Sequence, residues 1–444
     1  MTVIKIKHKI PWITFLGATL ILLGGIVMFF LPSEVVEFAL LFAVIGILFV
    51  YGIVRLVQAV SENKWVEGIL AVYVCWTIAW ILMYLDYKIE TVAVLPSLIV
   101  GIVSLLLGIL RLMICVNSIL NRFRGAVRNG ISGFFCLLFG ILLVINPIQN
   151  FSILALVASF YMIFYAVTMY GDAFAAIFQT DLNANRRKRR THFAAPNLLN
   201  AIKPSSMISE INQQIERGKL KSGKIVEEKE QTQFDHTNIE IMVHLTTQGP
   251  NKFGHVDIAI GDTVYSYGTY DESKVKFMGF VAQGSFIAIP KLPYLRYCLD
   301  VQKKYVIGFG ACLSDVQLKT VTDRLETFMA NDCEPIVSEY EHAVKEGRDG
   351  ADYNDRISVF VRDYKCKVYS VVSGPYKRYF GININCVQFA DWLLSDSGID
   401  AISFSGIRTP GAYYSMLNNM FHRKNTRVIR KTSYIFSKDI DAQE

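Results

Sequence analysis

Leu22-Leu23-Gly24-Gly25-Ile26-Val27-Met28-Phe29-Phe30-Leu31-Pro32 carries no charged side chain and continues an apolar run that starts at Pro11. A helix needs roughly 20 such residues to cross the hydrocarbon core of a bilayer. Further runs of the same kind lie near Val35–Val60, Trp65–Leu85, Val92–Asn117, Ala126–Ile145 and Ser152–Phe178. The expectation is an all-α, six-helix transmembrane domain over residues 1–180. The first run is too long for a signal peptide, lacks a small-residue cleavage site, and is followed by five more.

Outward from this segment the chain changes solvent. Its 444 residues are 52% hydrophobic, but that average comes almost entirely from the first 180. The rest carries charges every few residues. It divides into a polar linker (181–238), an α+β domain (239–425) and a C-terminal tail (426–444). The linker contains a short helical pattern at Ile208–Arg217 and a charged stretch, Lys221–Gln233, with little to bury, which reads as a tether.

The net charge of +7 is modest, and much of it sits in Arg186-Arg187-Lys188-Arg189-Arg190. A basic run directly after an apolar helix is a topology and anionic-lipid signal, not a nucleic-acid groove. Lys5, Lys7 and Lys9, then Arg55 and Lys64, then Arg111, Arg122, Arg124 and Arg128 all fall on the side of that run. The opposite connections carry only Lys88. By the positive-inside rule both termini and the soluble domain are expected in the cytoplasm, with membrane lipids as neighbours. Arg55 and Arg111 lie towards cytoplasmic ends and Asp172 late in the last span, so no chain of ionisable groups crosses the bilayer. That pattern favours an anchor over a transporter.

The six spans read as three hairpins. Gly52-Ile53-Val54-Arg55-Leu56-Val57 recurs as Gly108-Ile109-Leu110-Arg111-Leu112-Met113, and Pro32 recurs as Pro147 after a similar Gly-containing run. Tandem Gly-rich hairpins of this kind resemble the HdeD-type acid-resistance membrane family over nearly all of the first 180 residues.

In the soluble part, strands are expected at Ile239–Leu245, at Phe253–Ile260 and, after a Gly261-Asp262 turn, at Thr263–Tyr267. A helix is expected at Ser314–Met329, strand-like runs at Arg356–Arg362 and Lys367–Val372, and a helix from Asn385 to about Gly398. Eight cysteines show no CxxC pair and no zinc-like spacing, which suits a reducing compartment and implies neither metal nor cofactor.

Two residues carry the chemical interest. Cys386 opens a helix behind the capping residue Asn385, where free N–H groups and the helix dipole favour a thiolate. Cys386, Phe389, Ala390, Leu393 and Leu394 also share one helical face, so a core role is the alternative. His255 lies on a strand. Phe253-Gly254-His255, Tyr267-Gly268-Thr269-Tyr270-Asp271 and Asn385-Cys386-Val387-Gln388-Phe389 occur in an order that resembles the circularly permuted papain-like thiol enzymes. The likeness is to lecithin–retinol acyltransferase relatives and to bacterial lipoprotein N-acyltransferase-like proteins, over roughly Ile239–Gly398.

That resemblance implies acyl transfer or hydrolysis on an ester or amide of a lipid-like or acylated substrate. Cys386 is then the nucleophile, His255 its base, and the backbone N–H at Cys386 a donor to the oxyanion. A third residue should orient the imidazole. Ser266 faces His255 if the Gly261-Asp262 turn has two loop residues, and Tyr267 does if it has three. His244 reads as a strand surface residue, Asp257 as an ion-pair partner on the face of His255, and Arg408 and Tyr413 as domain surface. Two other readings stay open: a stress-related, non-enzymatic protein with a degenerate papain-like binding domain, and a cysteine peptidase or amidase. The positive-inside orientation is at odds with the outer-face chemistry of the lipoprotein analogy.

Overall fold

The structure, a computed structural model, describes residues 2–6, 12–61, 65–89, 91–120, 126–148, 151–178, 191–192, 224–229, 236–245, 254–276, 281–381, 384–395, 397, 399, 401–402, 409–422 and 426–435. The expected helix at Ile208–Arg217, the run Arg186–Arg190, Phe253 and Arg408 lie outside them. The chain forms two compact units, one from the helices between residues 12 and 171, the other chiefly from residue 172 onward.

The first unit is helical: α1 (Trp12–Phe30), α2 (Ser33–Ser61), α3 (Trp65–Ile89), α4 (Thr91–Leu120), α5 (Ala126–Ile145) and α6 (Phe151–Phe178). Five of these, α2 to α6, are long and apolar enough to cross a membrane; the described apolar part of α1, Phe15–Phe30, is shorter. Their outer faces are greasy throughout, with Val66 81% and Phe30 78% exposed. Such a surface suits lipid and not water.

Glycines let these helices approach closely, since without a hydrophobic drive between them backbone proximity supplies the dispersion energy. A Cβ on Gly52 would lie 3.5 Å from Val72 of α3, and one on Gly108 only 2.7 Å from Leu137 of α5. Gly25 of α1 lies against Met162 and Ile163 of α6. The sequence repeat therefore puts Gly52 and Gly108 at equivalent contacts, and the tight pairs are α2 with α3, α4 with α5, and α6 with α1.

The second unit is rich in antiparallel sheet. The strands of its main sheet are β1 (Thr2–Ile6), β2 (Lys224–Lys229), β3 (Ile239–Leu245), β4 (His255–Ile260), β5 (Thr263–Gly268), β6 (Ser285–Pro290), β7 (Tyr305–Ala311), β8 (Cys333–Pro335), β9 (Lys367–Val371) and β10 (Val428–Tyr434). They form one sheet in the order β1-β2-β10-β7-β3-β4-β5-β6-β9-β8. Within this sheet, among the described residues, only the β1–β2 pair is parallel. Register places Met242, His244, His255, Asp257, Ala259, Val264 and Ser266 on one face. That face is covered by Tyr294, Leu295 and Phe360. The other face presents Tyr267 and Phe286 to Phe389 of the Cys386–Leu393 helix, with Phe328 and Tyr376 around them.

Three expectations need correction. Arg356–Tyr364 is a helix, not a strand: the Asp355 carboxylate caps it by accepting from Ser358 N, and Ile357, Phe360, Val361 and Tyr364 turn to the core at helical spacing. Residues 426–444 are not a tail throughout, because β10 pairs on both sides, with β7 and with β2. The charged tether likewise contains β2, whose alternation of Ile225 and Glu227 with Val226 and Glu228 sets one buried residue, Val226, against the sheet.

Candidate active site

The site begins with a glycine. Gly254 has φ +77°, and a Cβ there would meet the His244 carbonyl oxygen at 2.6 Å. Only glycine accepts that backbone so close to its neighbour, and the turn it makes delivers His255 as the first residue of β4, directly across from His244. At the other end of β4 the connection is the two-residue Gly261-Asp262 turn, since Ile260 pairs with Thr263. With that register Ser266 lies opposite Asp257, on the side of His255.

Asp257 is 1% exposed and sits between the two histidines. Its Oδ1 lies 2.9 Å from His255 Nε2 and its Oδ2 lies 2.6 Å from His244 Nε2. Neither ring N–H is aligned on the carboxylate, so these contacts act chiefly through charge. The aligned donor to Asp257 is Tyr294, whose hydroxyl gives a 2.7 Å hydrogen bond to Oδ2. His255 Nε2 makes a 2.8 Å hydrogen bond with Ser266 Oγ, which in turn bonds the Tyr270 hydroxyl. Nε2 is thus fully engaged, which leaves Nδ1 for any partner on the far side of the ring.

Cys386 opens the helix that packs against β4. The Asn385 side chain caps its helix by accepting from Gln388 N at 3.0 Å and anchors itself through Nδ2 to the Gly381 carbonyl at 2.9 Å. The thiol at the first helical position is close enough to act on the His255 imidazole by charge.

One carboxylate thereby gives its two histidines opposite states. Burial pushes the His255 imidazole down, but Asp257 and Cys386 together override this and hold it at about 10. His244 has no such second partner, and burial keeps its ring below the ordinary histidine range. Burial also opposes the charge on Asp257, yet the two rings hold its carboxyl well below the usual carboxylate range. By contrast, burial lifts the Cys333 and Cys366 thiols to about 12, which leaves them protonated and inert.

Of the sequence candidates, the fold brings Cys386, His255 and Ser266 together. Tyr267 points to the opposite face, is fully buried, stacks on Phe389 and donates its hydroxyl to the Tyr376 carbonyl at 2.8 Å. The two-residue turn is the reason. His244 is not a surface residue but 1% exposed, and Tyr413 is equally buried. Asp257 is the ion-pair partner its strand position implied. Tyr270 and Tyr294 carried no sequence signal beyond Tyr270's place in the quoted motif. No family model, no curated protein and no solved structure matches this chain.

Proposed function

We propose that this chain is a membrane-anchored thiol acyltransferase or hydrolase that cleaves an ester or amide of a lipid-like or acylated substrate. The observation that carries the reading is a buried carboxylate, Asp257, 2.9 Å from His255 Nε2, with Cys386 at the start of a capped helix that packs on the same strand. The proposed reactive form, as in Cys–His acyl transfer generally, is an imidazolium–thiolate pair. The Cys386 sulfur attacks the carbonyl carbon and a C–S bond forms. The oxyanion meets the backbone N–H of Cys386 at the helix start. His255 gives its proton to the leaving oxygen or nitrogen, that bond breaks, and an acyl-enzyme results. Water or an acceptor then returns a proton to His255 while attacking the thioester, which frees Cys386. Asp257 stays ionised and orients the ring, with Ser266 and Tyr270 fixing Nε2. An antiparallel sheet with a histidine strand preceding a nucleophile helix is what the permuted papain-like resemblance leads one to expect.

The helical unit serves as the anchor, with α1 as a sixth span. Pairing of β1 with β2 supports this: segments before α1 and after α6 share one sheet, which requires an even number of crossings between them. The basic loops favour the cytoplasm for that shared side. A reporter fused after Phe178 that is active only outside the cell overturns the orientation.

For the chemistry, neutral iodoacetamide should alkylate Cys386 far faster than Cys366 at pH 7, and His255→Ala should slow Cys386 by about 100-fold, the usual range for losing a positioned acid–base group. Equal rates at the two thiols, unchanged by His255→Ala, refute the catalytic reading. That result would favour a binding domain without turnover, for which the 3% exposure of Cys386 speaks.

A further inference from the structure

Beside His255 lies a cavity of about 90 Å³ whose lining includes Gln302, Lys304, Arg356, Tyr270 and His244. Its charge is lopsided. Arg356 lies over the rings of Tyr270 and Phe360, at 5.0 and 5.5 Å, and these fix its guanidinium in place. Its Nη1 reaches only the Thr269 carbonyl, at a long 3.5 Å, and its Nε is buried with no hydrogen-bond partner. Lys304 lines the same cavity, so two cationic side chains share it. Among the described residues neither forms an ion pair with a carboxylate. The nearby Asp257 is already bracketed by His244, His255 and Tyr294. Two adjacent, partly desolvated cations with an idle guanidinium edge are costly unless an anion completes them. An Arg edge presents paired N–H donors that match the oxygens of a phosphate or carboxylate. The cavity has room for one such group among its polar lining.

We infer that Lys304 and Arg356 form an oxyanion-binding subsite, for a phosphate or carboxylate group, next to the Cys386–His255 pair. Its role in holding a substrate's anionic group rests on the proposed thiol chemistry; the anion site itself does not.

The test uses the full chain in phosphatidylcholine nanodiscs, with inorganic phosphate as probe against chloride at equal ionic strength. Phosphate should raise the thermal midpoint saturably and should change the rate of Cys386 alkylation by about threefold or more at concentrations well above its Kd. Arg356→Gln and Lys304→Gln should each weaken that phosphate response about tenfold in Kd, the scale of one charge-assisted contact, whereas exposed Lys367→Gln keeps it. Arg356→Lys, which retains charge but not the fork, serves if Arg356→Gln fails to fold, and it too should weaken the response. Discs containing phosphatidic acid, without free phosphate, assign the source: a response there alone marks a lipid headgroup, and a response to free phosphate marks a soluble anion. Either supports the subsite. No saturable response to either probe, or one unchanged in both Lys304 and Arg356 variants, overturns it. A phosphate-dependent midpoint together with His255-independent alkylation keeps the anion site and removes the catalytic reading instead.

Discussion

Ser266 and Tyr267 are neighbours in sequence, yet they face two different solvents within one protein. Tyr267 enters a face where aromatic rings stack on the Cys386–Leu393 helix, and its single polar atom is satisfied by a carbonyl. Ser266 enters the opposite face, where a carboxylate, two imidazoles and two phenols form one connected cluster. The aromatic face is held by area and fit, so a defect there costs stability and little else. The polar face is held by mutual compensation of charges, so a defect there leaves a group stranded and changes chemistry as well.

Asp257→Ala should have the largest effect. It leaves the charged His255 ring without its counter-charge and the His244 ring without its buried polar neighbour, at a cost of about 3–5 kcal/mol in chemical denaturation, and in the surviving folded fraction it should also slow alkylation of Cys386. Phe389→Ala should destabilise by a similar amount, about 3–5 kcal/mol, through a cavity among the rings of Tyr267, Phe286, Phe328 and Tyr376. Its folded fraction should keep the wild-type alkylation rate at Cys386. If Phe389→Ala lowers reactivity as much as Asp257→Ala does, the two faces are not separable and the contrast fails.

Titration comes next. The His255 ring is held above its unfolded value of about 6.5, at about 10, so the stability it contributes is complete below pH 6.5 and drains away as pH rises through 10. The thermal midpoint of the wild type should therefore fall between pH 7 and 10 more steeply than that of His255→Gln. Parallel curves would mean that Asp257 does not hold the ring charged. The smallest and sharpest pair is Ser266→Ala against Tyr267→Phe. Each removes one hydroxyl worth about 1 kcal/mol, but only Ser266→Ala should shift the pH profile of Cys386 alkylation. A shift with Tyr267→Phe alone would reverse the assignment of the third position.

The same alternation governs what could be read in advance. β3 and β4 were legible because apolar residues bracket recognisable turn chemistry, and the Cys386 helix because Asn385 caps it. The choice between Ser266 and Tyr267 hung on one residue of turn length, which local composition does not determine. The helix at Arg356–Tyr364 misreads as a strand because Ile357, Val359 and Val361 alternate; the deciding pair, Phe360 and Tyr364, becomes apolar-in only once the sheet face exists to receive it. β10 looked like a tail since its Arg430 and Lys431 find their carboxylates, Glu228 and Glu227, some 200 residues away. Asp257 was visible as a same-face neighbour of His255, but Tyr294, which holds it, arrives from a segment with no motif.

The β1–β2 pairing has a consequence for how the protein is made. Thr2 aligns with Ile225, a separation of 223 positions. At the usual pace of synthesis, β1 leaves the ribosome roughly 10–45 s before its partner exists. Through that interval every apolar helix must be handed to the translocation machinery while the strand waits unpaired. Docking of β1 is then a late, long-range closure, slow by topology. A bulky tag fused ahead of Thr2 should slow that closure and be felt in maturation yield, not in the membrane insertion that precedes it.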